Sequence, residues 1–242
     1  MTTVAIVIPM LNEAAALPRL LRSLRALHPQ PDAVVAVDGG STDGSVALAE
    51  AAGLRVLPGD ASGRAAQVNA GVAGVEADVV CVLHADTILP DDAVAVIRAA
   101  MTDPGLVLGS FVPLLCGADH VCWGTSFHNW AKTYYGPALF HPLRFRRGLR
   151  LLFGDHAMFF RRAAFLQAGG CDASLPIMED ADLCLRMHRF GRTRMVNRVV
   201  LTSDRRVAAW GPLRANWTYL RISVRWALGA RRNLERLYPH VR

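Results

Sequence analysis

The sequence predicts an α/β fold with a mixed, mostly parallel sheet and helices on both faces. Over the first hundred residues, short β-branched runs alternate with Ala-, Leu- and Arg-rich stretches of helical spacing. The strand candidates are apolar throughout, as expected of parallel strands covered on both faces. The chain has 242 residues, 52% of them hydrophobic, which is enough for one large domain with a buried core.

Strands and helices are predicted in alternation along the first hundred residues. The strands are Val4 to Ile8, Ala33 to Val37, Leu54 to Leu57, Val79 to Leu83 and Leu106 to Phe111. The helices lie at about 14–27, 43–52, 62–74 and 91–102. Open sheets of this kind bind ligands at the carboxyl ends of their strands, so the segments that follow the strands are the candidates for a site.

The second half of the chain departs from this rhythm. The aromatic, His- and Arg-rich segment 116–150 predicts a substrate-facing insertion or a flexible loop. Beyond it, residues 154–160 predict a turn into a strand, and residues 176–189 predict a helix. The tail, residues 213–238, predicts an Arg-rich helix.

Charge is segregated between the two parts of the chain. Residues 1–141 carry seven basic and thirteen acidic side chains, a net charge of −6, whereas residues 142–242 carry twenty arginines and seven acids, a net charge of +13. This asymmetry indicates an anionic partner for the second part. Scattered arginines without a known RNA-binding motif do not predict nucleic acid as that partner.

The tail has two interpretations. Trp217 and Trp226 beside arginines suit peripheral contact with an anionic membrane, and the same pattern suits an amphipathic helix packed on the core. The mean hydropathy is +0.24, yet no apolar run reaches the ~18 residues of a spanning helix.

Cysteine usage and the amino terminus bear on the compartment. The five cysteines include no CxxC pair, so neither a disulfide framework nor a zinc site is predicted. The start of the chain lacks the basic region of a secretory signal, and Pro9 and Asn12 interrupt its apolar run. We expect a cytoplasmic protein, associated with the inner face of the membrane if the tail binds lipid.

Three polar clusters directly follow predicted strands. They are Pro9-Met10-Leu11-Asn12-Glu13, Asp38-Gly39-Gly40-Ser41-Thr42-Asp43-Gly44 and His84-Ala85-Asp86. A carboxylate that enters a glycine-rich turn suits a base N–H or a ribose hydroxyl, although Asp38 could equally close a tight turn. Asp86 could hold a hard divalent cation on a diphosphate, or act as a turn or cap residue.

A pair of acids opens the predicted helix at 176–189. The helix dipole favours Glu179 and Asp180 at this position, which is a sufficient structural reason for them. A carboxylate held near a cation and an electrophilic carbon can also accept the proton of an attacking hydroxyl. Both interpretations remain open on the residues alone.

These motifs, in this order, resemble family-2 glycosyltransferases, which have the Rossmann-like GT-A fold. In that family Pro-x-x-Asn-Glu, Asp-Gly-Ser-x-Asp-Gly, a DXD-type metal motif and a Glu-Asp pair follow one another. The resemblance covers the chain to about residue 200. Residues 63–71, 83–87, 154–156 and 176–180 look most like the bacterial radical-SAM/selenodomain-associated subgroup, which is also connected with arsenosugar biosynthesis.

The resemblance implies inverting, metal-dependent, non-processive transfer of a sugar from a nucleotide diphosphate sugar, with a UDP-sugar favoured, to an acceptor hydroxyl. It implies a single domain over residues 1–242, with a nucleotide-sugar-binding half at 1–112 and an acceptor-side half at 113–242. The acceptor would be lipid-linked if the tail binds membrane. The Gln-x-x-Arg-Trp signature of processive enzymes is absent, which favours addition of one sugar.

The resemblance also assigns roles by position. Donor binding falls on Pro9, Asn12, Glu13, Asp38, Gly40, Arg64, Asn69 and Asp86. Asp86 would hold Mg²⁺ or Mn²⁺, Asp180 would be the base beside Glu179, and Gly154, Asp155 and His156 would face the substrate. The first Asp of the DXD motif is His84 here, which could ligate the metal, support a ligand or only pack.

Two other functions compete with this one. A nucleotidyltransferase that makes a nucleotide sugar has a similar core, but it usually carries a Gly-rich, Arg-containing loop after its first strand, where this chain has residues 9–13. A non-catalytic nucleotide- or RNA-binding module would use the basic part of the chain. In the glycosyltransferase interpretation, Arg144, Arg146 and Arg147 are candidates to close over the diphosphate of the donor.

Overall fold

The computed structural model describes residues 1–59, 63–230 and 234–237. The strands are β1 (Val4–Met10), β2 (Ala33–Asp38), β3 (Arg55–Pro58), β4 (Val79–Val82), β5 (Thr87–Ile88), β6 (Leu106–Cys116), β7 (Phe159–Arg161) and β8 (Arg192–Ser203). The helices are α1 (Leu17–Ala26), α2 (Ser45–Ala51), α3 (Arg64–Ala73), α4 (Ala93–Ala100), α5 (Trp123–Phe140), α6 (Pro142–Arg146), α7 (Arg162–Gln167), α8 (Glu179–Met187), α9 (Arg205–Trp210) and α10 (Pro212–Ala227). Short 3-10 turns occur at Gly154–His156 and Glu235–Leu237.

All eight strands form one sheet in the order β3-β2-β1-β4-β7-β6-β8-β5. The neighbours β3-β2-β1-β4 are parallel, as are β6 and β8. Strand β7 runs antiparallel to β4 and β6, and β5 runs antiparallel to β8. The carboxyl ends of β1, β2, β4, β6 and β8 therefore share one edge of the sheet with the amino end of β7. The mixed, mostly parallel α/β fold is confirmed.

The core lies on both faces of the sheet, as the continuous apolar strands predict. Val7 and Val80 belong to the apolar layer under α3 and α8, whereas Ile6 and Ile8 belong to the layer under α1 and α4. A Cβ at Gly71 in α3 would lie 2.2 Å from Val7 Cγ1, so this helix approaches β1 more closely than a side chain would allow.

The segment 116–150 is mostly helical, which corrects the flexible-loop alternative for it; the substrate-facing insertion stays a prediction. Helix α5 alone covers 18 residues of it. Its buried positions follow helical spacing but carry polar or small residues, namely Thr125, Ser126, Asn129, Thr133 and Pro137. Four of its six aromatic side chains are exposed, while Tyr134 and Tyr135 are half-buried; the exposed ones are Trp123, Phe127, Trp130 and Phe140. Hydrophobic periodicity therefore predicts the wrong buried face for α5, because the face that packs against the protein is the polar one.

The tail packs on the core through α10. Ala215, Ile222 and Trp226 are buried, while Leu213 and Trp217 remain exposed. The predicted helix at 213–238 extends over 231–233 and 238, which lie outside the described residues, as does residue 62 of the helix predicted at 62–74. Among the helices of the described residues, none is long and apolar enough to cross a bilayer.

Candidate active site

Two loops at the carboxyl edge are tied to each other by hydrogen bonds. The backbone N–H of Asn12 donates to Ser41 Oγ at 2.9 Å, and the N–H of Thr42 donates to Asn12 Oδ1 at 2.8 Å. The N–H of Glu13 donates to Ser45 Oγ at 2.8 Å. Asn12 adopts a φ of 55°, a left-handed conformation that Asn tolerates better than most residues. The hydrogen bonds therefore join the loops after β1 and β2 into one unit at the carboxyl edge of the sheet.

Asp38 closes the turn after β2. Its carboxylate accepts from the N–H of Gly40 at 2.9 Å and of Ser41 at 3.1 Å. Gly40 has a φ of 94°, which favours glycine at this position. Pro9 is buried in β1, in register with Val37. The tight-turn interpretation of Asp38 is therefore realised in the structure, and the half-buried carboxylate stays at the sheet edge.

An arginine that the sequence analysis did not single out joins the first loop to the third. The guanidinium of Arg205, at the start of α9, donates to Asp86 Oδ2 at 2.7 Å. It also donates to both carboxylate oxygens of Glu13, at 3.2 and 3.3 Å. These residues are 119 and 192 positions apart from Arg205 in the chain. Arg205 thus places a positive charge between Asp86 and Glu13.

His84, two residues before Asp86, is a half-buried, neutral imidazole. Burial, and next the charge of Arg64, lower its pKa to about 4. Its Nε2 has no hydrogen-bond partner among the described residues. A Cβ at Gly154 would lie 2.5 Å from His84 Cε1, so the imidazole packs against the backbone of the 3-10 turn. His84 therefore connects the loop after β4 with the turn before β7.

Asp180 contacts the same turn from the start of α8. Its Oδ2 accepts from the N–H of Gly154 at 2.8 Å, and its Oδ1 accepts from the N–H of Ala181 at 2.7 Å. Burial, and then the neighbouring charge of Glu179, raise the pKa of Asp180 to about 7. A carboxylate with this pKa can take up a proton near neutral pH, as a general base must.

Asp155 and His156 are held by helix α5. Asn129 Nδ2 donates to Asp155 Oδ2 at 2.6 Å, and His156 Nε2 lies 3.6 Å from Asp155 Oδ1. Burial acts to raise the pKa of Asp155, but the charges of His156 and Lys132 and the Asn129 hydrogen bond lower it to about 2. Asp155 therefore stays ionised at neutral pH, next in the chain to Gly154, whose N–H binds Asp180. The pKa values of the two carboxyls are shifted in opposite directions, as is typical of acids with different roles in one site.

Lys132 is the only lysine of the chain, and it belongs to this site. Its Nζ lies 3.8 Å from the centre of the Phe153 ring. Burial lowers its pKa, which the charges of Asp155 and Asp180 partly restore. A single lysine in a chain that otherwise uses arginine is a signal in the sequence, but its place at this site depends on the fold.

Of the other residues predicted to bind the donor, Arg64 lies at the site and Asn69 has a structural contact instead. Arg64 Nη1 lies 3.6 Å from Glu179 Oε1, so Arg64 is at the site. Asn69 instead exchanges two hydrogen bonds with the backbone of Cys171, from Nδ2 to the carbonyl and from the N–H to Oδ1, both at 2.8 Å. Its amide is therefore occupied in joining α3 to the loop before α8.

Two of the arginines expected to close over a diphosphate, Arg144 and Arg147, lie near the carboxyl end of α8. The charges of Arg144 and Arg147 act on His188, which directly follows α8. Asp180 stands at the opposite end of this helix, nine residues long and thus about 13 Å in extent. Arg205, rather than these arginines, provides the cation next to Asp86.

A second group of potential ligands lies close to Arg205. In the part of the chain that the structure describes, His120, Cys122 and Asp204 place one ligand atom each within 4.8 Å of one another and could hold a metal ion. No sequence motif joins these residues, because Asp204 is 82 positions from Cys122.

The arrangement defines a class of protein. A mixed, mostly parallel sheet with acidic loops gathered at its carboxyl edge is consistent with the Rossmann-like GT-A fold. The sequence model of glycosyl transferase family 2 matches residues 5–168. The chain belongs to glycosyltransferase family 2. No curated protein matches the sequence significantly.

Solved structures share this fold at low sequence identity. A mannosyltransferase from Pyrobaculum calidifontis, in complex with GDP-Man and Mn²⁺, is 19% identical with a TM-score of 0.70, covering 92% of this chain and 62% of its own. Glucosyl-3-phosphoglycerate synthase from Mycobacterium tuberculosis is 20% identical with a TM-score of 0.62, covering 94% and 80%. Residues 1–349 of TarS from S. aureus, in complex with UDP, are 13% identical with a TM-score of 0.63, covering 97% and 68%. This chain therefore spans less than two thirds of the mannosyltransferase.

Proposed function

We propose that this protein transfers one sugar from a nucleotide diphosphate sugar to an acceptor hydroxyl, with inversion at the anomeric carbon. The observation that carries the proposal is Asp180, a half-buried carboxylate with a pKa of about 7 that adjoins the turn packed on His84 and, through it, the acidic loop of Asp86. A base and a charged binding edge in one place suit this reaction.

Asp180 performs the proton step. The acceptor O–H gives its proton to the carboxylate as its oxygen attacks the anomeric carbon, and the bond from that carbon to the diphosphate breaks with its electron pair. Two backbone N–H donors, from Gly154 and Ala181, fix the orientation of the carboxylate. The negative charge of Asp155 and the positive charge of Lys132 contribute to the electrostatic environment of Asp180.

The leaving diphosphate carries negative charge, and the guanidinium of Arg205 stabilises that charge. Its guanidinium already bridges Asp86 and Glu13, and a diphosphate oxygen can replace one of these carboxylates. The residues also fit a divalent cation, because Mg²⁺ and Mn²⁺ accept one carboxylate plus substrate phosphates and waters. Asp86 would hold it, with His84 packed behind, and the ion would supply further neutralisation of the leaving group.

The donor side and the acceptor side follow the two halves of the chain in part. We assign residues 1–112 to donor binding, through Glu13, Asp38, Gly40 and Arg64. Residues 113–242 are assigned to the acceptor side. Arg205 is an exception, because it belongs to the second half of the chain and contacts Glu13 and Asp86 of the first half. The GDP-Man and UDP complexes of the structural neighbours support a nucleotide sugar as donor. We favour a UDP-sugar, and the subgroup proposed is the radical-SAM-associated one.

A lipid-linked acceptor at a membrane surface is the partner that the second half favours. Helices α5 and α10 expose Trp123, Phe127 and Trp217, and residues 142–242 carry a net charge of +13. Exposed aromatic side chains beside arginines suit the headgroup region of an anionic bilayer. We therefore propose a cytoplasmic enzyme that contacts the inner face of the membrane peripherally.

The test is a product assay with matched variants. The wild-type protein is incubated with UDP- and GDP-sugars, with Mg²⁺, with Mn²⁺ and with chelator, and nucleoside diphosphate release is measured. Asp180→Asn should reduce turnover at least about 10³-fold while donor affinity changes less than about threefold, because it removes the base and keeps the shape. Asp182→Asn, in the same helix turn but bonded to Arg186, is the control.

Two outcomes would contradict the proposal. Release of pyrophosphate in place of nucleoside diphosphate would identify a nucleotidyltransferase. Near wild-type turnover of Asp180→Asn would show that Asp180 is not the base.

A further inference from the structure

The loop between β6 and α5 is a short hairpin that projects two ligand-type side chains in one direction. The N–H of Gly117 donates to the carbonyl of His120 at 2.9 Å, and the N–H of Cys122 donates to the carbonyl of Leu115 at 2.9 Å. Cys116 and Val121 form an antiparallel bridge between the two arms. His120 and Cys122 are two residues apart in an extended segment, so their side chains point to the same side.

Asp204 meets these side chains from the end of β8. His120 Nε2 lies 3.1 Å from Asp204 Oδ2, and the Cys122 thiol donates to the same oxygen at 3.7 Å. Asp204 occupies the N-cap position of α9, yet its carboxylate makes no capping hydrogen bond to that helix. An N-cap aspartate usually binds the N–H groups of the first turn. Here the carboxylate is turned toward the imidazole and the thiol.

Gly117 leaves the space that this grouping needs. A Cβ at position 117 would lie 2.5 Å from His120 Cε1 and 2.8 Å from Asp204 Oδ2. A solvent-open cleft, lined in part by Trp123, Thr125 and Pro212, adjoins the three side chains. A water molecule from this cleft can reach the group.

We propose that His120, Cys122 and Asp204 form a zinc site, separate from the donor-binding edge, with water as the fourth ligand. Zinc accepts nitrogen, sulfur and carboxylate ligands together, at about 2.0–2.1 Å for N and O and 2.3 Å for S, so the edges of the tetrahedron are about 3.3–3.6 Å. The His–Asp and Cys–Asp separations of 3.1 and 3.7 Å are close to these edges.

The thiol separates this site from one for Mg²⁺ or Mn²⁺. These hard cations prefer oxygen ligands, whereas thiolate and imidazole select zinc and related borderline metals. The ion would connect the β6–α5 hairpin to the first residues of α9 and thereby restrain Arg205, which directly follows Asp204. Its role is positional, because none of the three ligands contacts Glu13, Asp86 or Asp180 in the described structure.

Direct metal measurement tests the site. The full-length protein, freed of metal with chelator and of any affinity tag, is titrated with ZnSO₄, and bound zinc is counted after gel filtration. We expect one zinc per chain and a raised melting temperature. Co²⁺ substituted for zinc should give the intense visible absorption of tetrahedral coordination together with a thiolate-to-cobalt charge-transfer band.

Matched variants assign the ligands. Cys122→Ser should lose the charge-transfer band, and His120→Ala should bind zinc at least tenfold more weakly, since even supporting residues around a metal change affinity by about that much. His120 is 63% exposed, so its replacement leaves the core intact. His28→Ala removes another exposed histidine, and Cys116→Ser removes the adjacent thiol outside the group; both should bind zinc as the wild type does.

The result is decisive in either direction. Substoichiometric zinc in the wild type, or a charge-transfer band that survives Cys122→Ser and disappears in Cys116→Ser, would overturn the site. Asp86→Ala should retain full zinc uptake. A loss of zinc in that variant would show that the ion belongs to the donor edge instead.

Discussion

At the residue scale, the site contains two acids with opposite proton affinities. Asp155 is kept ionised by its positive neighbours, whereas burial and Glu179 raise the pKa of Asp180 to about 7. A base must be ionised to accept a proton. Transfer by the wild type should therefore fall about tenfold per pH unit below about pH 7 and level off above it.

Glu179→Gln tests the second cause of this raised pKa. Removing the neighbouring negative charge makes ionisation of Asp180 easier, so the acid limb of the pH–rate profile should move to lower pH by up to about one unit. The midpoint should stay above that of an ordinary carboxyl, because burial is the larger cause. Steady-state rates from pH 5 to 9 measure the shift. An unchanged midpoint would mean that Glu179 does not control the base.

Arg205 is the cation that we propose stabilises the leaving group, because it contacts Glu13 and Asp86. Arg205→Ala removes two charge-assisted contacts at the donor edge, and we expect the donor dissociation constant to rise about tenfold or more. Calorimetric titration with nucleoside diphosphate measures it, with and without Mn²⁺. Arg198→Ala is the matched control, because Arg198 pairs with Asp92 on the surface, away from the edge. Equal affinities in the two variants would remove Arg205 from donor binding.

At the element scale, the position of α3 on β1 depends on a missing side chain. Gly71→Ala places a Cβ 2.2 Å from Val7 Cγ1 in a fully buried layer, so the helix or the strand must shift. We expect the free energy of unfolding to fall by about 1–3 kcal/mol, as for other overpacked cores. Denaturant unfolding measures this change.

A glycine-to-alanine substitution in α5 should not lower the free energy of unfolding. Gly124 lies in α5, and a Cβ there meets no atom within 4 Å. Gly124→Ala should be neutral or raise the free energy of unfolding by up to about 1 kcal/mol, since alanine favours the helix and restricts the unfolded chain. Equal effects of the two variants would mean that helix propensity, and not the approach of α3 to β1, controls both.

At the scale of the whole molecule, the segregation of charge favours an anionic surface as partner. We expect the protein to sediment with vesicles that contain anionic phospholipid, and to be released as salt is raised. Trp217→Ser should reduce the bound fraction several-fold. Phe190→Ser changes another exposed aromatic residue, outside α5 and α10, and is the control.

Point substitutions are required for this experiment, because deletion of the tail would remove Ile222 and Trp226 from the core. Equal binding to zwitterionic and anionic vesicles, or equal binding of the two variants, would contradict a membrane role for α10.

The sequence by itself determined the parallel half of the sheet and the loops that follow it. Apolar runs such as β1 and β4 are buried on both faces, so their hydrophobic content alone identifies them. Carboxyl ends of parallel strands share an edge, which is why the clusters beginning at Pro9, Asp38 and His84 could be placed together before any coordinates.

Only the tertiary structure decided which residues from the second half join that edge. Strand β8 begins with exposed arginines alternating with buried residues and is then exposed over residues 197–199, and α5 buries a polar face, so neither has the continuous apolar pattern of β1 and β4. Strand β8 is parallel to β6, and it therefore delivers Asp204 and Arg205 to the edge that β1 and β4 share. Contacts such as Arg205 with Glu13 depend on strand order, which is set by packing between segments distant in the chain, and no local pattern encodes it.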